Sequence, residues 1–224
     1  VDSVFQIAAH EDSFGLDRLY DLCRHLAPKL HEMKVGRVIA RPFVGDVING
    51  FQRTKNRKDF ALTPPKPVLT QWVQSAGYPV VAVGKIGDIF SMQGIDQVVT
   101  GTDLELGNHL LSQISTAPDN ALVFADSLYG HRRDVSGYAK ALEWFDTVIA
   151  EALAALKAGD VMIITADHGN DPTWVGGDHT RERVPVLCYG VDARSFGHIK
   201  FSDIATTIAA YLGVTPQSEG RNFL

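Results

Sequence analysis

The sequence predicts an α/β protein: a mostly parallel sheet sandwiched by helices, with a smaller α/β segment ahead of it. Two observations predict this. From residue 68 onward, short apolar runs alternate with amphipathic helical stretches. That is the pattern of strands buried on both faces and covered by crossover helices. Before them, Thr63-Pro64-Pro65-Lys66-Pro67 forms a stiff, extended connector, the best place for a boundary. The expected division is residues 1–61 and 62–224.

The elements follow in order. Between Glu11 and Met33, Leu16, Leu19, Tyr20, Cys23, Leu26 and Leu30 share one helical face, as the 3.6-residue period requires. Gly36 to Arg41 reads as a strand bounded by Gly and Pro. Residues 42–60 contain Pro42, Gly45, Asn49 and Gly50, a loop or a loop around a short hairpin. Beyond the connector, helices are expected over Val68–Ala76, Leu104–Ile114 and Val135–Leu156. Strands are expected at Pro79–Gly84, Ala121–Phe124, Val161–Thr165 and Val184–Tyr189. Ser202 is the expected cap of a last helix running through Leu212, stopped by Gly213.

Composition narrows the function. The 224 residues are 45% hydrophobic and 21% charged, ordinary for a globular protein. A chain of this length buries about 70% of its unfolded surface. Lys and Arg total 21 against 26 Asp and Glu, a net charge of −5, which argues against a nucleic-acid partner. No apolar run approaches the ~20 residues of a membrane span. Cys23 and Cys188 alone make no disulfide framework, so a reducing, cytoplasmic setting is expected. The chain opens Val1-Asp2-Ser3 without Met or signal peptide, as if something ahead of it were missing.

The chemistry-bearing residues follow the strands. Open α/β sheets bind ligands at the carboxyl ends of their strands. There, Val161–Thr165 runs into Asp167-His168, and Ala121–Phe124 into Asp126 with His131 five residues on. His179 comes eleven residues after His168. Carboxylate with imidazole suits a divalent cation such as Mn²⁺ or Zn²⁺. Five ligands exceed one tetrahedral site and suit two metals clamping a phosphoryl group. A lone strand-end Asp-His pair is more often a turn residue. Arg53, Arg57 and Lys58 form either a solvated basic face or a phosphate grip. Lys85, past an apolar strand, is either an exposed lysine or part of the site.

Several strings then become recognisable. Thr165-Ala166-Asp167-His168-Gly169 with Gly177-Asp178-His179-Thr180-Arg181-Glu182 resembles the metal motif of the alkaline phosphatase superfamily. Asp2 to His10, Val35 to Gly45, Val83-Gly84-Lys85-Ile86, Ser127 to Asp134 and Asp171-Pro172-Thr173-Trp174 resemble the phosphopentomutase family within it. The resemblance implies interconversion of ribose or deoxyribose 1-phosphate and 5-phosphate through two Mn²⁺ ions and a phospho-threonine. It implies that Asp126, His131 and His179 hold one metal, and Asp167 and His168 the other. It makes residues 1–61 the second half of a cap domain and 62–224 the C-terminal part of the core. It assigns substrate contacts to Asp2, Arg37, Ile39 and Arg53 in the cap and to Lys85 in the core. The family has a long segment before Asp2, with another metal Asp and the nucleophilic Thr. The approach to Asp126 is several residues shorter here. On this reading the 224 residues alone are inactive. A phosphatase, phosphodiesterase or phosphoglycerate mutase of the superfamily, or an inactive remnant, are the alternatives.

Overall fold

The computed structural model describes residues 4–126, 133–176 and 182–224. The chain divides into two compact units, Val1–Pro65 with Asp88–Met92, and Lys66–Gly87 with Gln93–Leu224.

The first unit is a four-stranded sheet packed on one face by a helix. Strand β1 (Val4–His10) is followed by α1 (Glu11–Phe14) and α2 (Leu16–Glu32), then β2 (Arg37–Asp46), β3 (Gly50–Arg53) and β4 (Lys58–Ala61). β1 pairs parallel with β2, while β3 and β4 each pair antiparallel with β2. The expected single helix over residues 11–33 is two. Gly15 adopts φ 94° between them, a conformation open to glycine and costly to other residues, and it re-aims the chain. The face shared by Leu19, Cys23 and Ala27 packs on Val38 and Ala40, with Ile7 and Ala9 at the margin. Alternation therefore turns Arg37, Ile39, Arg41 and Phe43 to the other face of the sheet. Residues 42–60 are the hairpin: β2 runs to Asp46, whose carboxylate accepts from the Ile48 and Asn49 amides.

In the second unit, α3 (Leu69–Ser75), β5 (Val80–Val83), the short α4 (Ile86–Ile89), β6 (Gln97–Val99), α5 (Asp103–Thr116) and β7 (Leu122–Ala125) come first. Then follow α6 (Val135–Ala155), β8 (Met162–Thr165), β9 (Val186–Tyr189) and α7 (Phe201–Tyr211). β5 lies between β6 and β7, all parallel, and β8 pairs antiparallel with β9. β5 is buried at every position, as a central parallel strand should be. Leu69, Trp72, Val73, Val80, Ala209 and Val214 form the main core, joining α3, β5 and α7. α5 begins in a capping box of Thr102 and Glu105.

The last helix begins differently from expectation. Ser202 is not its cap. Lys200 takes that place, and its amide donates to the Asp203 carboxylate at 2.9 Å. Asp203 is 3% exposed and also accepts from the Arg221 amide at 2.9 Å. Thr206 bonds Ser218, and Thr207 accepts from the Phe223 amide. The C-terminal tail is thus stitched onto α7 by three buried polar side chains. Among the described residues, no helix is long and apolar enough to cross a membrane.

Candidate metal centre

Parallel pairing puts the ends of β5 and β7 at one edge, with Val83 opposite Ala125. The chain then continues as Gly84-Lys85 on one strand and Asp126 on the other. The Gly84 amide donates to the Val99 carbonyl at 2.8 Å, and the Asp126 amide to Val83 at 3.1 Å. The Lys85 amide donates to Asp126 Oδ1 at 2.7 Å. Gly84 has φ 86°, and a Cβ there would meet Asp126 Oδ1 at 2.1 Å. The glycine is therefore what lets the carboxylate lie against the strand end.

Burial holds the Asp126 carboxyl above its ordinary range. The Lys85 amide bond and the Lys85 charge oppose that shift; Asp167 and Asp103 reinforce it. So the second unit brings Lys85, Asp126 and Asp167 into one electrostatic neighbourhood, joined by Asp103, which sequence reasoning did not single out. Its only sequence signal is a place in the first turn of a capped helix.

β8 delivers Asp167 and His168 just beyond Thr165. His168 Nδ1–H donates to the Gly169 carbonyl at 3.0 Å, which makes Nδ1 a proton-bearing nitrogen of the ring. The ring Nε2 lies 3.5 Å from Asp167 Oδ2. The Asp167 side chain is 84% exposed and that of His168 22%. Glu182 fills the space a side chain at Gly169 would need, at 2.5 Å from a built Cβ. Next to the pair, Asp171 closes a turn by accepting from the Thr173 amide and hydroxyl, which lowers its pKa.

The two carboxylates and the imidazole that follow these strands are donor types suited to a hard or borderline divalent cation. A buried carboxylate raised by a second carboxylate is a situation that a cation relieves. Among the described residues, no group of three or more His, Cys, Asp or Glu is gathered closely enough to hold a metal ion. His131 and His179 lie outside the described residues, as does Asp2.

In the first unit, Arg37, Ile39 and Arg53 fall on the sheet face turned away from α2: Arg53 pairs with Phe43, and Ile39 with Asp59. Ile39 is 2% exposed. Arg57 grips Asp59 with two bonds of 2.7 Å, which raises the Arg57 pKa. Arg37 Nη1 is 3.8 Å from the same carboxylate. Sequence reasoning passed over Arg41 and Asp59 here. The alternation Arg37-x-Ile39-x-Arg41 was the available signal for the first.

The fold and the strand-end donors define a metal-dependent α/β enzyme class. Residues 34–216 match the family model described as Metalloenzyme superfamily, and the chain belongs to that superfamily. Membership implies a metal cofactor. The chain is 51% identical, along its whole length, to a phosphopentomutase of Shewanella frigidimarina and to one of Yersinia pestis. It is 50% identical to one of Shewanella pealeana. It spans 57% of the length of the first of these relatives and 58% of the second.

Proposed function

We propose that this chain contributes the metal-binding core and part of the substrate grip of a phosphopentomutase, an isomerase acting on ribose or deoxyribose phosphates. The identity of 51% sustained over the whole chain supports this reading above all. In it, Asp126, His131 and His179 hold one Mn²⁺, and Asp167 and His168 help to hold a second. Bound there, the ions neutralise charge on a transferring phosphoryl group.

The chain's own residues do the rest. The Lys85 amide orients Asp126, and the Lys85 ammonium adds positive charge beside it. Arg37 and Arg53 grip phosphate oxygens with their guanidinium forks. Asp2 accepts ribose hydroxyls, and Ile39 packs between the arginines on the same sheet face. The phosphoryl-carrying threonine has no counterpart among these 224 residues. The setting is cytoplasmic, with a pentose phosphate as the partner rather than nucleic acid or membrane.

The test is a coupled assay of ribose 1-phosphate isomerisation with Mn²⁺. It is run on the protein made from its complete reading frame and on the 224-residue chain. Turnover by the first and not the second is expected. No turnover by either refutes the activity, and full turnover by the second refutes the assignment of the nucleophile elsewhere. Calorimetric titration of the chain with Mn²⁺ identifies an inactive remnant if no micromolar binding is found.

A further inference from the structure

Residues 54–57 join β3 to β4 without regular structure. Such connections are ordinarily the loosest part of a hairpin. This one is tied down from the side of α1 and α2. Glu11, the first residue of α1, turns its carboxylate to the turn. Its Oε1 accepts from the Thr54 hydroxyl and from Asn56 Nδ2 at 2.9 Å. Tyr20 of α2 adds another tie, its hydroxyl donating to the Asn56 carbonyl at 2.6 Å. Inside the turn, the Asn56 amide donates to Thr54 Oγ1 at 3.3 Å. The bonds from Thr54 and Asn56 hold the Glu11 carboxyl below its ordinary range, so the acceptor is ionised at neutral pH.

Capping its own helix would be the ordinary task of a glutamate in this place. His10 does that instead, its Nδ1 accepting from the Asp12 amide at 3.2 Å. Glu11 is left to the turn.

The place of the tie decides what it does. The Thr54 amide donates to the Pro42 carbonyl at 3.1 Å, one step beyond the pair of Arg53 with Phe43. Strand geometry therefore persists through residue 54, and successive side chains point to opposite faces. Holding the Thr54 hydroxyl from the side of α1 presents Arg53 on the other face. Any roll of the strand end would move both side chains together. Arg53 itself is exposed, so its backbone sets its direction more than its packing does. A guanidinium fork matches phosphate oxygens only when it is aimed.

We propose that Glu11 is a positioning residue for the substrate grip: by holding Thr54 and Asn56 it fixes the turn after β3 and with it the direction of Arg53. This rests on the phosphopentomutase reading, in which Arg53 meets the phosphate of the substrate.

The test uses the protein made from its complete reading frame. Isomerisation of ribose 1-phosphate with Mn²⁺ gives kcat and KM, and isothermal titration gives the Kd of ribose 5-phosphate. Glu11→Ala is expected to raise KM and Kd about tenfold, the scale of one hydrogen bond to a charged group. Its kcat should stay within about twofold, because the lost binding is common to ground and transition states. Glu11→Gln keeps an acceptor oxygen and should recover most of the affinity. Thr54→Val should reproduce part of the loss. In Arg53→Met, adding Glu11→Ala should change KM and Kd by less than about twofold, because residues acting through one another are not additive. A carboxylate that only stiffened the fold would lower the urea midpoint, and its effect on affinity would be the same with or without Arg53.

Unchanged KM and Kd in Glu11→Ala overturn the proposal. A loss of the same size in the Arg53→Met background overturns it equally. Should Glu11→Ala fail to fold, Thr54→Val with natural KM and Kd overturns it. Isomerisation by the natural protein with an affinity indifferent to Glu11 refutes the positioning role alone. Binding of ribose 5-phosphate that depends on Glu11 through Arg53, with no isomerisation, refutes the phosphopentomutase reading and leaves the positioning role standing.

Discussion

Replacing Gly84 by alanine tests the strand-end architecture at its tightest point. Gly84 has φ 86°, and the added Cβ would lie 2.1 Å from Asp126 Oδ1 and 2.8 Å from its carbonyl oxygen. A side chain in a left-handed conformation costs about 1–2 kcal/mol. The carboxylate must also retreat by roughly 1 Å, because packed interiors do not absorb such overlap. That retreat breaks the 2.7 Å bond from the Lys85 amide. Losing an amide bond to a charged group costs about 1.5–3 kcal/mol. The expected destabilisation of Gly84→Ala is therefore about 3 kcal/mol, read as a lower urea midpoint with unchanged slope. Mn²⁺ titration of the folded variant should show affinity reduced by about 10–100-fold, since what orients a ligand matters nearly as much as the ligand. A stability change under about 0.5 kcal/mol, the size of a neutral surface substitution, would refute the steric argument. Unchanged Mn²⁺ affinity beside a large stability loss would refute the proposed role of Asp126 as a metal ligand held in place by Gly84.

Two further outcomes concern stability alone. Leu19 is 1% exposed in the core of the first unit, so Leu19→Ala should cost about 2–5 kcal/mol, measurable by chemical unfolding. The amides of Lys200 and Arg221 hold the Asp203 carboxyl below its ordinary range. A carboxyl lowered on folding adds stability that is full above its unfolded pKa and fades as pH falls through the folded one. The natural chain should therefore lose stability below about pH 4 more steeply than Asp203→Asn. At pH 7 the variant should melt at a lower temperature, because an amide cannot accept from both donors; equal melting there would count against the tail clasp.

Much of the second unit was legible because its periodicities are clean. The helices near residues 103–116 and 135–155 and the strands around 80, 122 and 162 stand where apolar spacing puts them. The misses have physical causes. β1 contains no alternation strong enough to separate it from a loop, and β6 is three residues long. Gly15 hid inside an otherwise continuous helical pattern, because one positive φ leaves hydrophobic spacing intact. Ser202 looked like a cap, but the Asp203 carboxylate, drawn inward by the tail, fixes the helix start two residues earlier.

At the site, Asp126, Asp167 and His168 could be found as residues following strands, and the electrostatic coupling of the two carboxylates agrees with that logic. Lys85 needed the parallel register of β5 and β7 to be seen beside Asp126. The alternation Arg37-x-Ile39-x-Arg41 puts Arg41 on the same face as Arg37, but its neighbour Arg53 arrives through an antiparallel hairpin whose register is a tertiary fact.

The clasp on the last helix also bears on the order of biosynthesis. Chains fold vectorially as they emerge, N-terminal parts first. The described strands of the first unit's sheet have their pairing partners by Ala61. The acceptors of Asp203 and Thr207 wait for Arg221 and Phe223. A chain interrupted before Arg221 would thus carry a second unit with buried oxygens unmatched, a ready substrate for chaperones and proteases.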